Sequence, residues 1–97
     1  MTLSEEDRAA ALETLPFWRY DEAKRAIRRT FVFADFGEAF AFMTRVALAA
    51  EKADHHPDWS NGWNKVEVAL STHSEGGVSA KDVDLARAMD GFAASLP

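Results

Sequence analysis

The sequence predicts an α+β fold in which four strands form two hairpins and three helices pack on one face. Three observations carry that reading. Two segments alternate apolar and polar residues with the period of a half-buried strand. Three segments open on helix-capping pairs. The order is helix, two strands, helix, two strands, helix, which suits helices collected on one side of a sheet.

The first helix begins at Ser4, read as an N-cap with Asp7 three residues on. It spans Glu5 to Leu15, with Ala9, Leu12 and Leu15 near one face, and Pro16 ends it. Phe17 to Tyr20 reads as a short strand, and Asp21 to Lys24 as a turn. From Arg25 to Phe33, Ile27, Phe31 and Phe33 share a parity, with Arg29 as the exception on that face. Asp35 and Glu38 cap a second helix starting at Phe36. Its stripe is Phe36, Phe40, Met43, Ala47 and Ala50, widened by Ala39 and Val46. Met and Phe at that spacing are core rather than a cofactor box.

Pro57 stops this helix and pushes His56 towards extended backbone. Trp59 to Asn61 reads as a strand, Gly62-Trp63-Asn64 as a turn, and Lys65 to Ser71 as a strand with Val66, Val68 and Leu70 inward. Thr72 to Gly77 is a loop whose paired glycines permit unusual backbone angles. Ser79 and Asp82 cap a last helix to about Ser95, with Val83, Ala86, Met89 or Asp90, and Ala93 near one face.

Ninety-seven residues read as a single domain over 1–97, and 47% apolar residues are too many for disorder. A net charge of −5 argues against nucleic-acid binding. The cluster Lys24, Arg25, Arg28 and Arg29 opposes that trend and reads as a solvated strand face before an anion site. With no cysteine, neither disulfides nor thiolate metal sites are possible. The acidic start is unlike a signal peptide, and no apolar run can span a membrane, so a cytoplasmic location is expected.

The candidate site is organised by Glu51-Lys52-Ala53-Asp54-His55-His56-Pro57-Asp58-Trp59. Histidine exchanges protons near neutral pH, its ordinary pKa being about 6.5. His55 and His56 stand together at a helix end, and His73, just past a strand, is expected to join them in one pocket. Neighbours in extended backbone point apart, so the bend at the helix stop must aim the pair at one ligand. Glu51, one turn before His55, is placed to orient that imidazole. Against this stands the plainer reading of a surface helix end. A metal site is the sharper rival, but the chain has no HxxxH or HxH spacing, and adjacent histidines rarely chelate one ion together. Asp82 has a structural role as a cap and, at a helix N-terminus, can also face a polar ligand. Trp18, Trp59 and Trp63 read as structural, with one free to stack on a flat heterocycle.

The Glu51–Trp59 run, with Asn64-Lys65-Val66, Leu70-Ser71-Thr72-His73, and Ser79, Asp82, Leu85 and Ala86, resembles the pterin-4a-carbinolamine dehydratase family. The similarity extends upstream through Phe31, Phe33, Asp35-Phe36 and Ala41 to Leu48, and is weakest in the first helix. The resemblance implies a four-stranded antiparallel sheet with helices on one face. It also implies loss of water from 4a-hydroxytetrahydropterin to give quinonoid dihydropterin, in pterin recycling for aromatic amino-acid hydroxylation, with no metal or organic cofactor. In that chemistry His55 and His73 handle protons and His56 chiefly holds the pterin. Glu51, Asp82 and Trp59 orient or bind it. Ser74-Glu75-Gly76 departs from relatives that place an acidic residue straight after the histidine. The family forms homodimers or homotetramers. In animals it also serves as a dimerisation cofactor for a homeodomain transcription factor, so a non-catalytic binding or assembly role is the alternative.

Overall fold

A computed structural model describes residues 1–96. Its elements are α1 (Glu5–Glu13), β1 (Arg19–Asp21), β2 (Ala26–Val32), α2 (Phe36–Ala53), β3 (Asp58–Gly62), β4 (Lys65–Leu70), a 3₁₀ turn (His73–Glu75) and α3 (Ala80–Ala94). The strands form one antiparallel sheet in the order β1-β2-β4-β3. This is the α+β arrangement that the sequence predicts.

The sheet's inner face is set by parity. Ile27 and Phe31 of β2 and Val66, Val68 and Leu70 of β4 are buried, with Phe33 packed against them. Arg29 shares this parity and is accommodated by α3: its Nη1 donates to Asp90 Oδ1 at 2.5 Å, and Trp18 Nε1 donates to the same oxygen at 2.8 Å. Its guanidinium also lies over the Phe17 and Phe31 rings. The basic cluster is therefore not one solvated face, because Arg29 turns inward while Arg28 pairs with Asp21.

α2 lies on this face by one edge of the stripe the sequence favours: Ala39, Val46 and Ala50 are buried as expected, and Phe42 joins them from beyond that edge. Phe36 and Phe40 are about half exposed, and Ala47 is exposed. At ~100° per residue the centre of the buried stripe is turned by roughly 55° from that of the expected one. Phe42 meets Phe31 and Phe33 with ring centroids at 4.6 and 5.0 Å, and that aromatic cluster decides the rotation.

α3 contributes Val83, Leu85, Ala86 and Met89 to the same core. Its N-terminus carries the full capping box between Ser79 and Asp82. Ser4 and Asp35 cap α1 and α2 through the N–H groups of Asp7 and Glu38. α1 ends at Glu13, so Leu15 is buried from the following turn rather than from a helix face. The first strand begins two residues later than the sequence suggests, because Trp18 N–H donates to Leu15 O and closes a turn there.

The end of α2 places the site. Asp54 adopts a left-handed conformation, φ 51° and ψ 43°. His55 N–H then reaches back to Ala50 O at 3.0 Å and Asp54 N–H to Glu51 O at 3.2 Å. This is the Schellman pattern that satisfies the last helix carbonyls. The helix therefore stops at Ala53 through the Asp54 turn, three residues ahead of Pro57, which continues the chain into β3.

A histidine cleft between the end of α2, the exit of β4 and the start of α3

The antiparallel register brings three chain segments to one end of the sheet. β3 enters at Asp58, which pairs with Ala69, and β4 leaves at Leu70 towards His73. The left-handed turn at Asp54 delivers His55 and His56 to the same end. A cleft of about 460 Å³ there is lined by all three histidines, together with Asp58, Ser71, Thr72 and Lys81. The sequence-based grouping of His55, His56 and His73 is thus what the fold brings together.

Each imidazole has a different carboxylate. His55 Nε2 lies 2.6 Å from Asp82 Oδ1; the His55 side chain is 11% exposed and that of Asp82 0%. Asp82 is held from its other oxygen, where Oδ2 accepts the Thr72 hydroxyl at 2.8 Å and the Ser79 N–H at 2.8 Å. Thr72 and Ser79 hydroxyls also meet at 2.6 Å. A buried carboxylate with both oxygens engaged has no freedom to move, so it fixes the ring of His55. Histidine donating from Nε2 to a carboxylate leaves Nδ1 as the nitrogen for a ligand, the same logic that orients metal- and substrate-facing histidines generally.

His56 Nε2 lies 3.0 Å from Glu51 Oε1, and His73 Nε2 lies 2.9 Å from Asp58 Oδ2. Both pairs are largely exposed: the His56 side chain is 57% exposed and that of His73 is 73%. Water screens them, so they orient rings more than they store energy.

Two expectations are corrected. Glu51 orients His56, not His55, because the Asp54 turn swings His55 off the helix and towards α3. Trp59 does not line the cleft. It sits opposite Val68 in the β3–β4 register, shares its inward parity, and is half-buried against the core. The other tryptophans are placed apart as well, Trp18 buried against Asp90 and Trp63 exposed at the β3–β4 turn.

Asp58, Thr72 and Lys81 were not singled out by sequence reasoning. Asp58 lies within the motif run, and its spacing to His73 gives no hint of the pairing, which follows from the β3–β4 hairpin. Thr72 reads as a loop residue until the Asp82 carboxylate is seen to need a second donor. Among the described residues no three His, Asp or Glu side chains converge as metal ligands would. Among the described residues no helix is long and apolar enough to cross a membrane.

Comparison with known proteins identifies the family. The family model described as pterin 4 alpha carbinolamine dehydratase matches residues 1–92. A protein of Rhodopseudomonas palustris (strain BisB18), named "Putative pterin-4-alpha-carbinolamine dehydratase", is 62% identical over 94 residues, covering 97% of this chain and 93% of that one. One of the same name from Rhizorhabdus wittichii is 57% identical over 91 residues, covering 94% of each. The crystal structure of a transcriptional coactivator/pterin dehydratase from Brucella melitensis superposes with a TM-score of 0.93 at 46% identity, covering 96% of this chain and 99% of that one. With nearly its full length matched by the family model and by these relatives, the chain belongs to the pterin-4a-carbinolamine dehydratase family.

Proposed function

We propose that the protein is a hydro-lyase that removes water from 4a-hydroxytetrahydropterin, acting as a cytoplasmic self-associating enzyme in pterin recycling. The observation that carries this reading is the collection of His55, His56 and His73 in one cleft, each beside its own carboxylate. The 4a-hydroxyl leaves poorly as hydroxide, so an acid must protonate it. A ring nitrogen must lose a proton as the new double bond forms. Two imidazoles of separate environment suit those two transfers, and such help is worth ~10²–10⁴-fold.

His55 and His73 are the proton-handling pair in this reading. Asp82 fixes the orientation of the His55 ring. Asp58 takes the equivalent part for His73, with water screening the pair. His56, held by Glu51, binds the pterin ring.

The test is dehydration of the 4a-carbinolamine by purified protein, with a chelator present. Replacing His73 by Ala should reduce the rate by about 10²–10⁴-fold. Being so exposed, this side chain should leave stability within about 0.5 kcal/mol, so loss of rate is not loss of fold. Wild-type protein without activity, or a His73→Ala variant at full rate, rejects the reading.

A second reading rests on the Brucella protein being described as a transcriptional coactivator as well as a pterin dehydratase. The outward side of α2 gives it a physical basis, since Phe36, Phe40 and Leu48 are exposed there. Assembly through that surface would be indifferent to substitution of the histidines.

A further inference from the structure

A second cleft adjoins the histidine cleft. It has a volume of about 410 Å³, and Asp58, Ser71 and His73 bound both. Its far wall is the β1–β2 turn, contributed by Lys24 and Arg25. The topology makes this adjacency obligatory. β2 runs antiparallel to β4, with Ile27 opposite Leu70, so the start of β2 lies beside the segment that leads to His73.

The charges around this cleft are unevenly satisfied. Asp21 takes Arg28 Nη1 at 3.0 Å and the Lys24 N–H at 3.1 Å, which fixes the turn. Asp58 is paired with His73. Arg29 is paired with Asp90. Among the described residues, neither the Lys24 ammonium nor the Arg25 guanidinium has an ion-pair or hydrogen-bond partner. Glu22, the turn's remaining carboxylate, does not line the cleft. Arg25 is also held at φ 51°, a left-handed backbone position that favours glycine or asparagine. A chain of net charge −5 thus presents, at the edge of its histidine site, two cations without a direct ion-pair or hydrogen-bond partner, Lys24 feeling Asp21 only at longer range.

We propose that Lys24 and Arg25 receive an anionic group, a carboxylate or phosphate, carried on the side chain of the pterin while its ring lies against the histidines. The proposal rests on the pterin reading of the histidine cleft and adds the substrate class. A point-charge ammonium and a forked guanidinium together suit a carboxylate or phosphate. The shared wall of Ser71 and His73 supplies the path from ring to side chain.

The test uses pterin fluorescence to measure binding of 6-hydroxymethylpterin, its phosphate ester and 6-carboxypterin, with inorganic phosphate measured by calorimetry and by its displacement of the bound pterins. It is run beside the 4a-carbinolamine dehydration assay. Wild-type protein should bind each anionic pterin about tenfold more tightly than the neutral one at low salt, and the preference should shrink as salt is raised. In the double variant Lys24→Gln, Arg25→Gln the ratio should fall to about one. In a control that removes the same charge elsewhere, Lys52→Gln with Lys65→Gln, it should persist. Circular dichroism of both variants confirms folding. Equal binding of neutral and anionic pterins by an active wild-type protein overturns this proposal and leaves the dehydratase reading standing. A preference that survives in the double variant, or is lost equally in the control, also overturns it. So does phosphate binding tightly alone with no preference among pterins. Failure to bind any pterin, with no dehydration, overturns both readings.

Discussion

Asp82 links the stability of the chain to the chemistry proposed for it. Its Oδ2 closes the capping box at Ser79 and accepts from Thr72, while Oδ1 meets His55. Asp82→Ala removes a cap and leaves Thr72 and His55 without their acceptor in a buried place. The expected loss is about 2–4 kcal/mol, on the order of 10–20 °C in Tm. Asp82→Asn keeps the shape and one acceptor oxygen. If its amide faces His55, it donates where the carboxylate accepted and demands the opposite tautomer. The turnover of Asp82→Asn should therefore fall further than its Tm accounts for, and measuring both on one preparation separates the two roles. The capping role was legible from Ser79 and Asp82 three residues apart. The Thr72 hydroxyl was not, because its partnership depends on where β4 ends relative to α3, a distance that no local pattern encodes.

At the scale of elements, α2 shows what periodicity can and cannot decide. The apolar band expected of the helix is wide enough to rest on either of two edges, Phe36-Phe40-Met43-Ala47 or, with Phe42 added, Ala39-Phe42-Val46-Ala50. Either has helical spacing, so the existence of the helix was readable and its rotation was not. The aromatic cluster with Phe31 and Phe33 selects the second. Phe42→Ala should cost about 3–5 kcal/mol in urea unfolding, whereas Phe40→Ala in the monomer should stay near 0.5 kcal/mol. The reverse order would place the helix as the sequence alone suggests. The C-terminus of α2 makes a similar point. Proline was visible in the sequence, but the Asp54 turn that ends the helix was not, since aspartate adopts left-handed backbone only in context. Asp54→Val should destabilise by about 1–2 kcal/mol, the cost of a branched residue there. Pro57→Ala should change stability by less than about 1 kcal/mol, because the helix has already stopped. The β1–β2 turn adds a pH term. The Arg28 hydrogen bond, and next the Lys24 N–H, hold the Asp21 carboxyl below its ordinary value. A depressed carboxyl pKa stabilises the fold above the unfolded value and loses that contribution as pH falls through the folded one. Wild type and Asp21→Asn should therefore differ in Tm at neutral pH and converge in strong acid.

Across the whole molecule, the stripe that α2 does not bury remains as an apolar surface. Phe36, Phe40 and Leu48 are 49%, 57% and 70% exposed, with Ala47 and Thr44 between them. Grouped apolar exposure of this kind marks interaction sites more often than scattered single residues do. The sheet offers less: its edges are β1, only three residues long, and β3, five residues long, so strand pairing has a short template. If self-association uses α2, Phe40→Glu with Leu48→Glu will bury charge at the interface and disfavour it strongly. Light scattering should then report a multimer for wild type and a monomer for the double variant, with circular dichroism unchanged. Because association stabilises only the folded state, wild-type Tm should rise with protein concentration and that of the variant should not. An unchanged mass in the variant would exclude this face and leave the sheet edges as the remaining route. Neither substitution touches the histidine cleft, so dehydration by the monomeric variant decides whether the site is complete within one chain.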